Sequence, residues 1–153
     1  MTLDPLTGTE LHRIIRQELR NCALRIGDRT YAAVKKSFMI EDVLDRKDFY
    51  SYYKKVLEAL QIPDWREDFD CDDFAMLFKI VSSALHRHAK KVHKDKPESP
   101  AVGLMWYTTR KGTGHAINVC IGEGYKIFFL EPQTGEELCL TDQEKRSCYF
   151  VLF

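Results

Sequence analysis

The sequence lacks an excess of charge of one sign, a long apolar run and a paired cysteine motif. Lys and Arg number 23 and Asp and Glu also number 23, so no overall charge attracts the chain to nucleic acid or to an anionic membrane. No stretch approaches the roughly 20 apolar residues of a membrane span, and the N-terminus shows no signal-peptide pattern. We therefore expect a cytoplasmic protein with no nucleic-acid or membrane partner. Composition does not predict its oligomeric state.

The five cysteines are odd in number and form no C-x-x-C pair, which fits neither a disulfide framework nor a zinc ribbon. Four of them lie in apolar, periodic surroundings and are predicted to be small core residues. These four are Cys22, Cys120, Cys139 and Cys148. The fifth, Cys71, lies in the acidic run Asp70-Cys71-Asp72-Asp73. Its charged surroundings make Cys71 the best candidate for a reactive thiol.

The chain of 153 residues is predicted to be a single α+β domain, in which N-terminal helices precede a C-terminal antiparallel sheet. The helical part covers residues 1–63, and the cysteine helix and the sheet cover residues 64–153. An apolar content of 44% supports an ordinary hydrophobic core and excludes a disordered chain.

Three segments repeat apolar residues at helical spacing. The first covers residues 11–22, and the second covers about 46–61 and is ended by Pro63. The third helix begins at Cys71, and its basic far end, residues 86–94, is interpreted as a solvated helix terminus. Its predicted buried stripe is Phe74, Leu77, Phe78, Val81, Leu85 and Val92.

Five short apolar runs, separated by glycine, proline or charge, predict the sheet. They cover residues 101–108, 115–121, 125–131, 137–140 and 148–153. A hairpin loop over residues 122–124 joins the second strand to the third. A register centred on this loop places His115 opposite Glu131 and Ile117 opposite Phe129. We expect the cysteine helix to pack on the apolar face that Ile117 and Phe129 share.

A thiol at a helix start, an imidazole and a carboxylate are the parts of a catalytic triad. In such a triad Cys71 is the nucleophile, His115 transfers the proton and Glu131 orients the imidazole. Trp65, six positions before the cysteine, has an indole N–H where papain-like enzymes have an oxyanion-hole glutamine, although it also suits a hydrophobic anchor after Pro63. Taken singly, the cysteine, histidine and glutamate are ordinary core, strand and turn residues. Their combination predicts catalysis.

Three aspartates surround this thiol. Asp70, Asp72 and Asp73 suit a first helical turn, but their charge raises the pKa of a neighbouring thiol. A cation held by two or more of them reverses that effect, and calcium is the cation that takes 6–8 oxygen ligands. The run is not an EF-hand, because Asp73 and Lys79 occupy the positions of its glycine and its last glutamate. A solvated capping turn is the alternative interpretation.

Three motifs resemble the C-terminal domain of mushroom chimerolectins of the Marasmius oreades agglutinin type. They are residues 70–75, 114–119 and 131–136. The resemblance implies a papain-like or transglutaminase-like fold and a calcium-dependent cysteine peptidase. It implies that Cys71, His115 and Glu131 are the triad, and it makes Asp72 and Asp73 candidate metal ligands. The resemblance does not extend to the β-trefoil lectin domain of that family and so does not imply sugar binding.

The leading hypothesis is therefore a cysteine hydrolase, either a peptidase or an amidase, that forms a thioester with a peptide or protein substrate. Calcium is its candidate cofactor. Transglutaminase-like acyl transfer uses the same groups. The alternative, from a different functional class, is a catalytically inactive papain-like module that binds a partner.

Overall fold

Two β-sheets organise the computed structural model, which describes residues 5–89 and 97–153. The strands are β1 (Leu6–Thr7), β2 (Ala23–Arg25), β3 (Thr30–Ala32), β4 (Ser99–Pro100), β5 (Val102–Thr108), β6 (Gly114–Ile121), β7 (Ile127–Leu130), β8 (Glu137–Leu138) and β9 (Phe150–Leu152). The helices are α1 (Gly8–Glu18), α2 (Lys36–Met39), α3 (Phe49–Ala59), α4 (Cys71–Ala89) and α5 (Asp142–Ser147), and a 3-10 turn covers Glu123–Tyr125.

The larger sheet has six strands in the order β2-β9-β5-β6-β7-β8, and the smaller has the order β1-β3-β4. The pairs β2–β9 and β3–β4 are parallel and the others are antiparallel. The predicted helices-then-antiparallel-sheet arrangement is therefore wrong, because β1, β2 and β3 come from residues 1–63 and both sheets are mixed. These three strands have only two or three residues each, too few to show a period of two.

All three predicted helices are confirmed, as α1, α3 and α4, and the five predicted C-terminal runs form β5 to β9. The helix α3 starts at Phe49, later than predicted, because the Asp48 carboxylate accepts a 2.7 Å hydrogen bond from the Ser51 amide and caps it. The helices α2 and α5 were not predicted. In α5, Thr141 and Glu144 form a capping box, a signal that the sequence does carry.

The helix α4 packs on the sheet face opposite to the one predicted. Ile117 and Phe129 share a core cluster with α1, whereas Phe74 and Phe78 of α4 pack in a second cluster with alternate sheet residues. Those residues include Val102, Cys120, Phe128 and Leu130. Both faces of the sheet are apolar, so periodicity alone cannot show which face the helix covers. Small side chains, such as that of Ala116, let α4 approach the face that it covers.

The aromatic residues of α3 join this helix to α4. The rings of Phe49 and Tyr53 meet the Phe78 ring edge-on at centroid distances of 4.8 and 5.1 Å. The Tyr53 hydroxyl donates to the Phe74 carbonyl oxygen at 2.9 Å. The predicted stripe of α4 is buried at Phe74 and Phe78, and Val92 lies outside the described residues. The other members are partly buried, namely Leu77, Val81 and Leu85.

Three of the four cysteines predicted to lie in the core are buried, namely Cys22, Cys120 and Cys148. The prediction is wrong for Cys139, which is exposed because it follows the two-residue edge strand β8. None of the helices in the described part of the chain is long and apolar enough to cross a bilayer.

Candidate functional site

The first turn of α4 is organised by its own aspartates. The Asp70 carbonyl oxygen accepts from the Phe74 amide at 3.1 Å and so begins the helical ladder. The Asp70 carboxylate accepts from the Asp72 amide at 3.3 Å, and the Asp73 carboxylate accepts from the Asp70 amide at 3.2 Å. These bonds occupy amide groups that a helix start leaves without partners. The capping role proposed for the acidic run is therefore present.

Cys71 is half-buried and packs beside the small cluster that contains Ala116. Burial is the largest cause that raises the pKa of its thiol, and the charges of Asp70 and Asp72 raise it further. The Ala116 backbone N–H donates to the sulfur and opposes this rise. The aspartates therefore raise the pKa of the Cys71 thiol, as the sequence predicts, although burial raises it more. The thiol is held mainly in its protonated form at neutral pH, which is the reverse of an activated nucleophile.

Asp70, Cys71 and Asp72 each offer one ligand atom, and these atoms lie within 4.8 Å of one another. Asp73 is not part of this group, because its carboxylate faces the Asp70 amide. The pKa of Asp72 is raised by its hydrogen bond to the Asp70 carboxyl group, by burial and by the charge of Asp70. No lysine or arginine in the described segments forms an ion pair with either carboxylate.

This donor set fits a calcium ion in part. The Asp70 and Asp72 carboxylates are oxygen donors of the kind that calcium takes, and their mutual repulsion favours a cation between them. The thiol is a soft donor that calcium does not prefer. Backbone carbonyls and water would have to supply the remaining oxygens.

His115 and Glu131 form a short hydrogen bond, with His115 Nε2 2.6 Å from Glu131 Oε2. Both side chains are largely buried, with 22% and 13% of their areas exposed. The Gln133 amide donates to Glu131 Oε1 at 3.1 Å and fixes the carboxylate. The Tyr107 ring meets the imidazole edge-on at 6.0 Å. The predicted contact between His115 and Glu131 is therefore confirmed.

The strand register that brings His115 to Glu131 differs from the predicted one by two residues. Asn118 faces Leu130 and Ile121 faces Ile127. The loop is longer than three residues, because the Gly122 amide donates to the Lys126 carbonyl oxygen at 2.8 Å across the 3-10 turn. An even shift keeps every side chain on its own face. His115 and Glu131 therefore meet diagonally, beyond the end of β7, instead of directly opposite each other.

Cys71 begins α4 and His115 lies at the start of β6, and the two side chains are not hydrogen-bonded to each other. Within residues 5–89 and 97–153, no hydrogen bond joins Cys71 Sγ to the His115 ring. The thiol packs against the cluster that contains the Ala116 side chain, and consecutive strand residues point to opposite faces. Nucleophile and base are therefore not connected through a hydrogen bond in this arrangement.

Trp65 lies in the segment before α4, with 52% of its area exposed. Its neighbours Asp64 and Arg66 form a 3.6 Å ion pair, and Arg66 and Phe69 exchange backbone hydrogen bonds of 3.0 and 3.1 Å. In the described part of the chain the indole forms no hydrogen bond and no ring contact. The side chain is therefore available to solvent and to a ligand.

Two residues that support the site were missed by the sequence analysis. Asn118 is fully buried, and its amide donates to the Ala75 carbonyl oxygen at 2.9 Å and to that of Gly103 at 3.1 Å. Its signal was an amide side chain inside an otherwise apolar strand. Gly135 closes the turn that follows Glu131 with φ 77°, and a Cβ there would lie 2.4 Å from the Tyr50 ring.

A family model described as agglutinin C-terminal matches residues 42–137. A search of curated proteins finds no match. A solved structure described as the PSL1a-E64 complex has a TM-score of 0.71 and 24% identity, covering 99% of this chain and 52% of that one. Polyporus squamosus lectin bound to the human-type influenza-binding epitope Neu5Acα2-6Galβ1-4GlcNAc has a TM-score of 0.71 and 23% identity, covering 99% and 50%. The chain spans about half the length of these structures.

These comparisons confirm the resemblance to agglutinin C-terminal domains and contradict the fold class and the activity that it implied, while calcium binding stays a prediction. The papain-like or transglutaminase-like fold class is wrong, because the chain shares its mixed-sheet fold with a lectin. The cysteine hydrolase, whether peptidase or amidase, is also wrong, because the matched family is an agglutinin family. The Cys71 thiol has no hydrogen bond to the His115 ring and its pKa is raised, which agrees with this correction. No comparison assigns residue roles, so those of Cys71, His115, Glu131 and Trp65 stay predictions.

Proposed function

The chain belongs to the agglutinin C-terminal family, and from this premise we propose that it is a carbohydrate-binding domain that takes up its ligand with calcium. The proposed partner is a glycan, free or carried on a protein, in place of a peptide or protein substrate. One structural neighbour is a lectin bound to a sialylated trisaccharide, and this supports the proposal. The proposed contact surface is the acidic edge, which we define as Asp70, Cys71 and Asp72.

The paired carboxylates of Asp70 and Asp72 are the observation that carries the proposal, and the raised pKa of Asp72 agrees with their closeness. Two carboxylates lie close together at a partly exposed helix start, with no cation of the described residues paired to them. Ionised carboxylates accept hydrogen bonds only, and sugar hydroxyls are donors. A cation at the acidic edge removes the repulsion between the carboxylates and adds a ligand position for sugar oxygens.

A sialylated ligand makes the calcium requirement stronger. Its own carboxylate is repelled by Asp70 and Asp72 unless a cation lies between them. The exposed Trp65 indole, a few residues before the acidic edge in sequence, offers the flat apolar surface on which the C–H face of a sugar ring packs. We assign Trp65 this stacking role.

Titration calorimetry of two matched variants tests the proposal, with Neu5Acα2-6Galβ1-4GlcNAc as the probe and calcium present. Asp72→Asn removes one ligand charge from the acidic edge, and Glu123→Gln removes one charge from the exposed turn that follows the C-terminal end of β6. We expect the first variant to bind at least tenfold more weakly and the second to bind as the unchanged chain does.

Equal binding by both variants would contradict the acidic edge as the contact surface. Calcium binding that Asp72→Asn abolishes, without binding of this trisaccharide or of any glycan on an array, would contradict carbohydrate recognition and leave a calcium site alone. The two measurements therefore distinguish calcium binding from carbohydrate binding.

A further inference from the structure

Two buried thiols meet where the N-terminal part of the chain joins the last strand. Cys22 precedes β2 and Cys148 precedes β9, and both belong to the core cluster around α1, each with 3% of its area exposed. The Ala23 amide donates to the Tyr149 carbonyl oxygen at 2.8 Å, and Ala23 is paired with Phe150 in the parallel register. This pairing places Cys22 and Cys148 at neighbouring strand starts within one buried cluster, where the two thiols interact with each other.

An arginine lies beside one of the two sulfurs. Arg16 Nη1 is 3.8 Å from Cys22 Sγ and also donates to the Cys22 carbonyl oxygen and, at 3.4 Å, to that of Arg20. The interaction with the Cys148 thiol is the largest effect that lowers the pKa of Cys22, and the Arg16 charge lowers it further, while burial opposes both. The same interaction, with burial, raises the pKa of Cys148.

The other three cysteines do not share these surroundings. Cys120 is fully buried and burial alone raises its pKa, Cys139 is exposed, and Cys71 lies at the acidic edge. The thiol pair is thus formed by Cys22, which is activated towards the thiolate, and Cys148, which interacts with it.

We propose that Cys22 and Cys148 are an oxidation site, at which a low-molecular-weight disulfide such as oxidised glutathione converts the thiol pair to a reversible disulfide. The Cys22 thiolate attacks one sulfur of the small disulfide, which forms a mixed disulfide and releases one thiolate. Cys148 then loses its proton to that thiolate and attacks the Cys22 sulfur, releasing the second small thiol. Two protein thiols are oxidised and one small disulfide is reduced to two thiols.

The bond would join the end of the α1 segment to the start of β9, which lie far apart in the sequence and next to each other in the larger sheet. A cross-link that closes so long a loop restricts the unfolded chain strongly. The oxidised chain is therefore the more stable form, and reduction returns it to the marginal stability of an ordinary domain.

Peptide mapping in a glutathione redox buffer tests the proposal. The chain is equilibrated from the native state and, separately, during refolding from denaturant, so that burial of the thiols cannot limit the reaction. We expect the Cys22–Cys148 disulfide to be the main bonded species in both samples. The melting temperature should rise by roughly 5–15 °C and fall again with dithiothreitol.

Matched variants separate this pair from the other thiols. Cys22→Ser and Cys148→Ser should each abolish the oxidation-dependent shift, and Cys139→Ser, at the exposed cysteine, should keep it. Cys22 and Cys148 found free or as separate glutathione adducts in both samples would overturn the proposal. A bond to a different cysteine, or a disulfide that does not raise the melting temperature, would overturn it as well.

Discussion

The side-chain amide of Asn118 donates to the Ala75 carbonyl oxygen at 2.9 Å and so ties the first turns of α4 to the centre of the larger sheet. The same amide bonds to the Gly103 carbonyl oxygen on the neighbouring strand β5. One buried side chain therefore joins the helix that carries the acidic edge to two strands. The position of the acidic edge relative to His115 on β6 depends on it.

Asn118→Ala should lower the free energy of unfolding by about 2–3 kcal/mol, because two buried carbonyl oxygens lose their donor. Urea denaturation measures the change. Asn21→Ala, at an exposed position, is the matched control and should alter the free energy by less than about 0.5 kcal/mol. Equal effects of the two substitutions would mean that the buried amide does not hold α4.

Gly135→Ala should destabilise the turn after Glu131 by about 2–4 kcal/mol. The substitution adds a methyl group at a positive φ of 77° and 2.4 Å from the Tyr50 ring, so it combines backbone strain with a steric clash. Gly112→Ala shares the positive φ, 79°, but has no atom within 4 Å of the added Cβ, and should cost only about 1 kcal/mol. Thermal unfolding that ranks the two variants in the opposite order would contradict the Tyr50 contact.

The raised pKa of Asp72 predicts a pH dependence of stability. A raised pKa means that the folded state binds the proton more tightly than the unfolded state does. This contribution is therefore fully present below the unfolded value of about 3.9 and is lost as pH rises through the folded pKa. In urea unfolding between pH 3 and 7, Asp72→Asn should remove this component and the exposed Asp45→Asn should keep it. A profile that Asp72→Asn leaves unchanged would contradict the paired carboxylates.

The raised pKa of Cys71 predicts slow alkylation at neutral pH. Iodoacetamide at pH 7, followed by mass spectrometry, should modify Cys71 several-fold more slowly than the exposed Cys139. Calcium should raise the rate at Cys71 and leave Cys139 unchanged, because a cation at the acidic edge stabilises the thiolate. The same rates in calcium and in chelator would leave the aspartates as helix caps.

The elements predicted correctly are those with strong local signals. Pro63, the acidic run before α4 and the helical spacing of Phe74 and Phe78 located the cysteine helix, and the apolar runs located β5 to β9. The strands β1 to β4 have two or three residues each and depend on tertiary pairing, so no period reveals them. The non-glycine residue Tyr125 has φ 59° inside the hairpin loop, a conformation that lengthens the loop and that the sequence does not signal.

The chemistry of the site was harder to predict than its position. The strand spacing and the alternation of side chains predicted that His115 and Glu131 lie on one face of the sheet, at the end where β6 begins. The structure confirms their contact. The alternation of side chains could not show that Cys71 packs near Ala116, on the face opposite to His115, because both faces of the strand are apolar. The motifs identified the family correctly, but the activity attached to them did not follow, since related sites serve different functions on one fold.

Calorimetric titration of the unchanged chain with Neu5Acα2-6Galβ1-4GlcNAc, in calcium and in chelator, tests the central proposal most directly. We expect saturable one-to-one binding in calcium, at least tenfold weaker binding in chelator, and, when calcium is present, weaker binding of the asialo disaccharide Galβ1-4GlcNAc than of the trisaccharide. No binding in calcium, or the same affinity with and without it, would contradict a calcium-dependent carbohydrate site at the acidic edge.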